Sequence, residues 1–153
     1  MGFEISRRTA LAMAAGAAAA TVVPAPTASA QAAKNNSADL IKAFTGGKTA
    51  TAGKVKLDLP EIAENGNTVP MTVSVESPMT DASHVTDILI VADQNPRAGV
   101  VHFRLSPLSG VAEANTRIRL AATQNIIAIA KMNDGSFVTA SKQVKVTIGG
   151  CGG

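Results

Sequence analysis

The sequence contains no tryptophan, no tyrosine and a single cysteine among its 153 residues. One cysteine cannot form an internal disulfide, and without tryptophan the chain lacks the tryptophan-and-disulfide core of antibody domains. Aromatic residues amount to only 3% of the chain, so its core must consist of aliphatic side chains. Because 46% of the residues are hydrophobic, the chain has enough of them for one globular domain.

Charged residues are also scarce. They make up 16% of the sequence and give a formal net charge of +3, which is too small and too scattered for a nucleic-acid-binding surface. Outside the first 30 residues, no apolar run reaches the length of about 18 residues that a transmembrane helix needs. We therefore expect neither a nucleic acid nor a membrane among the partners of the mature chain.

Residues 1–30 have the pattern of an export signal. Arg7 and Arg8 form a twin-arginine segment, and an uncharged, alanine-rich stretch too short to span a bilayer follows. Residues 28–30 read Ala-Ser-Ala, an A-x-A cleavage site, so the mature chain is predicted to begin at Gln31. The weak hydrophobicity of the stretch favours the twin-arginine route. Either export route predicts that the protein functions in the periplasm.

The mature chain is predicted to contain one short helix followed by strands. Ser37 as N-cap and the Gly46-Gly47 stop indicate a helix over residues 37–44. Beyond it, apolar residues recur at every second position between turn residues, the pattern of half-buried strands. The predicted strands cover residues 55–59, 69–75, 85–91, 100–105, 116–120, 126–130 and 137–148.

Seven short strands with closely spaced turns predict an all-β fold, an immunoglobulin-like antiparallel β-sandwich. The short helix precedes the sandwich, and a flexible arm with the sequence Gly-Gly-Cys-Gly-Gly follows it. The predicted organisation is therefore a twin-arginine signal at residues 1–30, a sandwich domain at residues 31–148 and an arm at residues 149–153.

The arm carries the only cysteine, Cys151, between Gly149, Gly150, Gly152 and Gly153. Glycine has the widest backbone freedom, so the arm is expected to be mobile in water. Ile148 is predicted to be the last anchored residue, which gives the thiol a reach of roughly 10 Å at full extension. A thiol on such an arm can enter a deep cleft of another protein that a flat sheet surface could not penetrate.

Nothing within the arm can activate the thiol of Cys151. The arm contains no histidine, lysine or arginine, and the nearest cationic residue in the sequence is Lys145. This composition does not suit a self-activating nucleophile, but it suits a carrier whose reactions are catalysed by partner enzymes. We therefore predict a non-catalytic carrier without a cofactor, with its cargo bound covalently to Cys151.

Three alternatives use the same end of the chain. An exposed thiol in an exported protein can form a disulfide-linked dimer through Cys151, alone or as a side state of a carrier. A periplasmic metal-binding module or metallochaperone would combine Cys151 with His84 or His102, although no metal-binding spacing is present and no metal site is predicted. A thiocarboxylate on Gly153 would need activation by ATP, which the export signal disfavours.

Three features of the sequence together resemble the SoxY family, the sulfur carrier subunits of the periplasmic thiosulfate-oxidising Sox multienzyme system. They are the terminal Gly-Gly-Cys-Gly-Gly, the twin-arginine signal, and the segment Leu59–Pro70, which reads LPEIAENGNTVP. The resemblance implies an immunoglobulin-like subunit that forms a heterodimer with a second all-β subunit, SoxZ. It also implies that Cys151 is the attachment point for sulfur intermediates.

The same resemblance implies three enzymes as further partners. A haem enzyme joins thiosulfate oxidatively to the carrier thiol, and a metal-dependent hydrolase then releases the terminal sulfonate as sulfate. A molybdenum sulfur dehydrogenase oxidises the remaining sulfane sulfur. The carrier itself would need only a reachable thiol, which is what the residues at positions 149–153 provide.

Overall fold

The computed structural model of the chain describes residues 35–149. The predicted export signal at residues 1–30 and the arm positions Gly150, Cys151, Gly152 and Gly153 lie outside these residues, so the signal, the domain boundaries and the flexibility of the arm stay predictions. Within the described part, no helix is long and apolar enough to cross a membrane.

Residues 35–149 form one α-helix and nine β-strands. A single 3-10 turn at Pro107–Ser109 separates two of the strands. The bounds are α1 Ser37–Thr45, β1 Thr51–Ala52, β2 Val55–Asp58, β3 Ile62–Asn65, β4 Val69–Val75, β5 Val85–Ala92, β6 Gly99–Arg104, β7 Glu113–Ile118, β8 Gln124–Met132 and β9 Phe137–Ile148.

The strands form two sheets that face each other. The larger sheet has the order β1-β9-β8-β5-β6, with β3 added beside β9, and the smaller sheet has the order β2-β4-β7. The prediction of an all-β, immunoglobulin-like sandwich with one short helix is confirmed. Two short pairings depart from the antiparallel pattern, because β1 and β3 both run parallel to β9.

The predicted elements agree with the structure where apolar residues alternate most regularly. Strands β4 and β9 have the predicted bounds, whereas β1 and β3 were not predicted. Strand β1 has two residues, and β3 buries only Ala63, so neither shows an alternating pattern. Helix α1 ends at Gly46 as expected, but its N-cap is Asn36 rather than Ser37.

The core is aliphatic, as the composition requires, and it has two parts. The main part fills the space between the sheets, where Met71, Ile88 and Ile126 are fully buried. The second part lies under α1, on the other face of the large sheet. There Phe44 packs edge-to-face against Phe137, with ring centroids 5.8 Å apart. The large sheet is therefore buried on both faces where α1 covers it.

A tight turn joins the two longest strands, β8 and β9. Gly135 adopts a φ of 79°, a conformation that glycine accepts without strain. The Asp134 side chain accepts a hydrogen bond of 2.8 Å from the N–H of Ser136. Hydrogen bonds from Ser136 hold the pKa of the Asp134 carboxyl below its ordinary value.

We predict that Leu120→Ala lowers the free energy of unfolding by about 2–5 kcal/mol, because it leaves a cavity in the main core. Leu120 is fully buried, whereas Leu108, on the 3-10 turn, is 98% exposed. The matched control, Leu108→Ala, should change the free energy of unfolding by less than about 0.5 kcal/mol. Urea denaturation followed by circular dichroism measures both values, and equal losses for the two variants would contradict this description of the core.

Candidate functional site

Strand β9 leads directly to the predicted arm, and its last residues depend on β3. The antiparallel pairing of β9 with β8 ends where Val144 meets Gln124. From Lys145 onward, β9 pairs in parallel with β3, and the last pair joins Ile148 to Asn65. Strand β3 therefore continues the backbone pairing of β9 to its last residue, beyond Gln124, the first residue of β8.

Gly66 holds the end of β9 on one side. Its N–H donates a 2.8 Å hydrogen bond to the carbonyl oxygen of Ile148, and its own carbonyl accepts one of 2.8 Å from the N–H of Leu120. Gly66 and β3 both belong to the segment Leu59–Pro70 that carries the family resemblance. That segment therefore lies beside the root of the arm.

Thr123 supports the opposite edge of β9, where β8 no longer runs alongside. The hydroxyl oxygen of Thr123 accepts a 2.9 Å hydrogen bond from the N–H of Val146. On the β3 side, the hydroxyl of Thr147 donates a 2.9 Å hydrogen bond to the carbonyl of Glu64. Side chains thus add to the backbone pairing on both edges of the strand end.

Gly149, the first residue of the predicted arm, lies at the end of the described part of the chain. A Cβ atom built on Gly149 would overlap the carbonyl oxygen of Ala121. A residue without a side chain is therefore required here by the close approach of two backbones. We call the three residues that meet the end of β9, namely Gly66, Ala121 and Thr123, the collar.

The two histidines of the metal-binding alternative are engaged within the protein. The Nδ1 atom of His84 lies 2.9 Å from the carbonyl oxygen of Thr80, and the Nε2 atom of His102 lies 2.9 Å from Oδ1 of Asp87. His102 also packs edge-to-face against Phe44. Among residues 35–149, no three histidine, cysteine or carboxylate side chains are grouped so that they could hold a metal ion.

The sequence identified the arm as a functional segment, but it did not predict which residues form the collar. Gly149 is the only arm residue that the structure describes, and it adjoins the collar. Thr123 and Ala121 were not identified, because short polar and small residues between two strands read as an ordinary loop. The Asn65-Gly66 dipeptide was the one available signal, since this pair is typical of a tight turn.

Solved structures of superoxide reductases have a similar fold. A superoxide reductase (neelaredoxin) from Ignicoccus hospitalis is 19% identical, covers 61% of this chain and 80% of its own, and has a TM-score of 0.54. A superoxide reductase from Nanoarchaeum equitans is 10% identical, covers 63% of this chain and 100% of its own, and also has a TM-score of 0.54. At these identities the likeness establishes the fold alone. No curated protein matches the sequence.

Two further comparisons identify the family. The family model described as sulfur oxidation protein SoxY matches residues 41–151. The solved structure of the sulfur carrier protein SoxY from Chlorobium limicola f thiosulfatophilum is 31% identical, covers 71% of this chain and 89% of its own, and has a TM-score of 0.61. The chain therefore belongs to the SoxY family of sulfur oxidation proteins.

Proposed function

We propose that this chain is a covalent sulfur carrier that holds thiosulfate-derived intermediates on Cys151 and presents them to partner enzymes. The observation that carries the proposal is the extent of the family match, which includes Cys151. The relative from Chlorobium is named a sulfur carrier protein. The prediction of a carrier subunit rather than an enzyme is confirmed at the level of the family.

The structure of the arm root supports this proposal physically. Strand β9 is hydrogen-bonded on both edges close to its end, and Gly149 adjoins the collar. Cys151 follows Gly149 by two residues, a distance of roughly 7 Å in an extended chain. A partner enzyme would therefore find the thiol within a short reach of a rigid body, which lowers the entropic cost of a productive encounter.

The chemistry proposed for Cys151 requires partners with redox centres. Loading forms a bond between the thiol sulfur and the sulfane sulfur of thiosulfate, releases the thiol proton and passes two electrons to the haem enzyme. Hydrolysis then adds water, releases sulfate and leaves a persulfide on Cys151. The sulfur dehydrogenase then removes six electrons from the outer sulfur while water supplies three oxygen atoms. A second hydrolysis of the resulting sulfonate adds water, releases sulfate and restores the thiol of Cys151. Each enzyme supplies its own metal, so the carrier needs only its thiol.

Two finer features belong to the proposal. The export signal predicted at residues 1–30 implies a periplasmic location reached by the twin-arginine route, and the family resemblance implies a heterodimer with a SoxZ-like subunit. A disulfide-linked dimer through Cys151 is a side state of the same thiol. The metal-binding alternative has less support, because Nδ1 of His84 and Nε2 of His102 already have hydrogen-bonding partners.

We predict that protein isolated from thiosulfate-grown cells carries sulfur or thiosulfate adducts on Cys151 that thiol reductants remove. Intact-mass analysis, followed by mass spectrometry of the C-terminal peptide, detects them. Cys151→Ser should abolish every adduct because the attachment atom is lost. The result that would overturn the proposal is a wild-type chain found only as bare thiol or disulfide dimer, while adducts surviving in Cys151→Ser would point to a thiocarboxylate on Gly153.

We also predict that Gly149→Ala lowers the free energy of unfolding by about 1–3 kcal/mol, because the new methyl group must displace the carbonyl of Ala121. Gly99→Ala is the matched control. A Cβ atom at Gly99 would meet only a terminal methyl carbon of Leu40, at 3.4 Å, and that side chain can rotate. Denaturant unfolding of both variants decides the matter, and a neutral Gly149→Ala would show that the collar does not enclose Gly149 closely.

A further inference from the structure

A cluster of side-chain amides binds the segment 119–124, which contains the collar residues Ala121 and Thr123. Asn95, in the turn after β5, binds the segment 119–124 three times. Its Oδ1 accepts hydrogen bonds from the N–H of Ala121 at 2.9 Å and from Nε2 of Gln124 at 2.8 Å. Its Nδ2 donates one of 2.8 Å to the carbonyl of Arg119.

Gln124 completes the cluster from inside the protein. Only 2% of its surface is exposed, which is unusual for a polar side chain. Nε2 also donates a 3.0 Å hydrogen bond to the carbonyl of Ala122, and Oε1 accepts one of 2.9 Å from the N–H of Gln94. A buried polar network in which the side-chain atoms are paired specifies one geometry, because each lost bond leaves an unsatisfied group.

The turn that carries Asn95 is itself fixed from two sides. Nδ2 of Asn35 donates hydrogen bonds of 2.8 and 3.0 Å to the carbonyls of Ala92 and Asn95. The carboxylate of Asp93 accepts hydrogen bonds from the backbone N–H and the side-chain amide of Asn125, at 2.9 and 2.8 Å. The turn that contains Asn95 is therefore fixed to the large sheet. The hydrogen bonds of Asn95 then fix the segment 119–124 to the same sheet.

The segment 119–124 needs this support because residues 119–123 have no regular secondary structure. It contributes two of the three collar residues, Ala121 and Thr123. The amide cluster therefore determines where one side of the collar lies. Without Asn95, the N–H of Ala121 and the carbonyl of Arg119 would lose their hydrogen bonds to the turn after β5.

We propose that Asn95 and Gln124 are positioning residues of the carrier arm. They hold the segment 119–124 so that the collar fixes the direction in which the chain leaves β9 at Gly149. The role rests on the carrier function proposed above. The direction of the arm, however, can be measured without any sulfur chemistry, so the two proposals can fail separately.

The single cysteine makes the first measurement direct, because a nitroxide label attaches to Cys151 alone in the mature chain. Paramagnetic broadening of backbone amide signals in the nuclear magnetic resonance spectrum then maps the space that the label visits. In the wild type, broadening should concentrate on residues near Gly66 and Ala121. In Asn95→Ala, it should fall at least about twofold there and spread over more of the surface, because the collar loosens.

Asn133→Ala is the matched control at the opposite end of the domain. Asn133 follows β8, as Asn95 follows β5, and β8 places the two turns roughly 30 Å apart. Its side chain accepts a hydrogen bond from the N–H of His84 and donates one to the carbonyl of Ala82. This variant also loses amide hydrogen bonds, but it should leave the broadening pattern of the wild type unchanged.

The second measurement uses the enzymatic loading of thiosulfate onto the carrier. In Asn95→Ala, the KM for the carrier should rise severalfold while kcat and the rate of alkylation of Cys151 by iodoacetamide stay unchanged. A residue that only stabilised the fold would not raise KM while leaving kcat and the alkylation rate unchanged. If wild-type Cys151 is never loaded, the carrier function fails, and the broadening result still decides the positioning role.

Asn95→Asp is the second variant should Asn95→Ala not fold. Its Oδ1 keeps both acceptor bonds, but the amide donor becomes a carboxylate oxygen that repels the carbonyl of Arg119. The expected result is the same change in broadening. A folded Asn95 variant with the broadening pattern of the wild type, or a change of equal size in Asn133→Ala, would overturn the proposal.

Discussion

The pairing of β9 with β3 is the constraint on which the rest of the site depends. A twelve-residue strand extends past its neighbour β8, so its last residues need another partner for their backbone groups. Strand β3 meets that need on one edge, and the hydroxyl of Thr123 meets it on the other. The chain is consequently ordered up to the point where the glycine-rich arm begins. Without β3, the last residues of β9 would lack backbone hydrogen bonds on one edge and would fray.

The rigid body of the domain and the thiol that is proposed to carry sulfur belong to different parts of the chain. Its aliphatic core and its helix-covered sheet contain no reactive group, and the described histidines serve structural contacts with Thr80, Asp87 and Phe44. Superoxide reductases share the fold at low identity, so the fold by itself does not determine function. The candidate site of this chain lies at the end of β9, where the collar meets Gly149.

Regular alternation made β4 and β9 predictable. Strand β4 buries every second side chain, and residues 141–147 of β9 alternate between more exposed and less exposed side chains. Strand β3 could not be predicted, since it buries only Ala63 and its partner lies more than 80 residues away in the sequence. The amide cluster was equally hidden. Asn95 stands in a turn and Gln124 at the start of a strand, where polar residues are usually solvated. The hydrogen bonds between them, and the burial of Gln124, become visible only in the folded chain.

The long separation between β3 and β9 also has a consequence for folding. Thr147 and Glu64 are 83 residues apart, so this part of the site cannot form until almost the whole chain is available. Closing so long a loop costs conformational entropy, so the pairing of β3 with β9 slows folding. The hydrogen bond from Gly66 to Ile148 closes a loop of almost the same length. A chain cut short before β9 would keep the three collar residues but would lack the strand end that they meet.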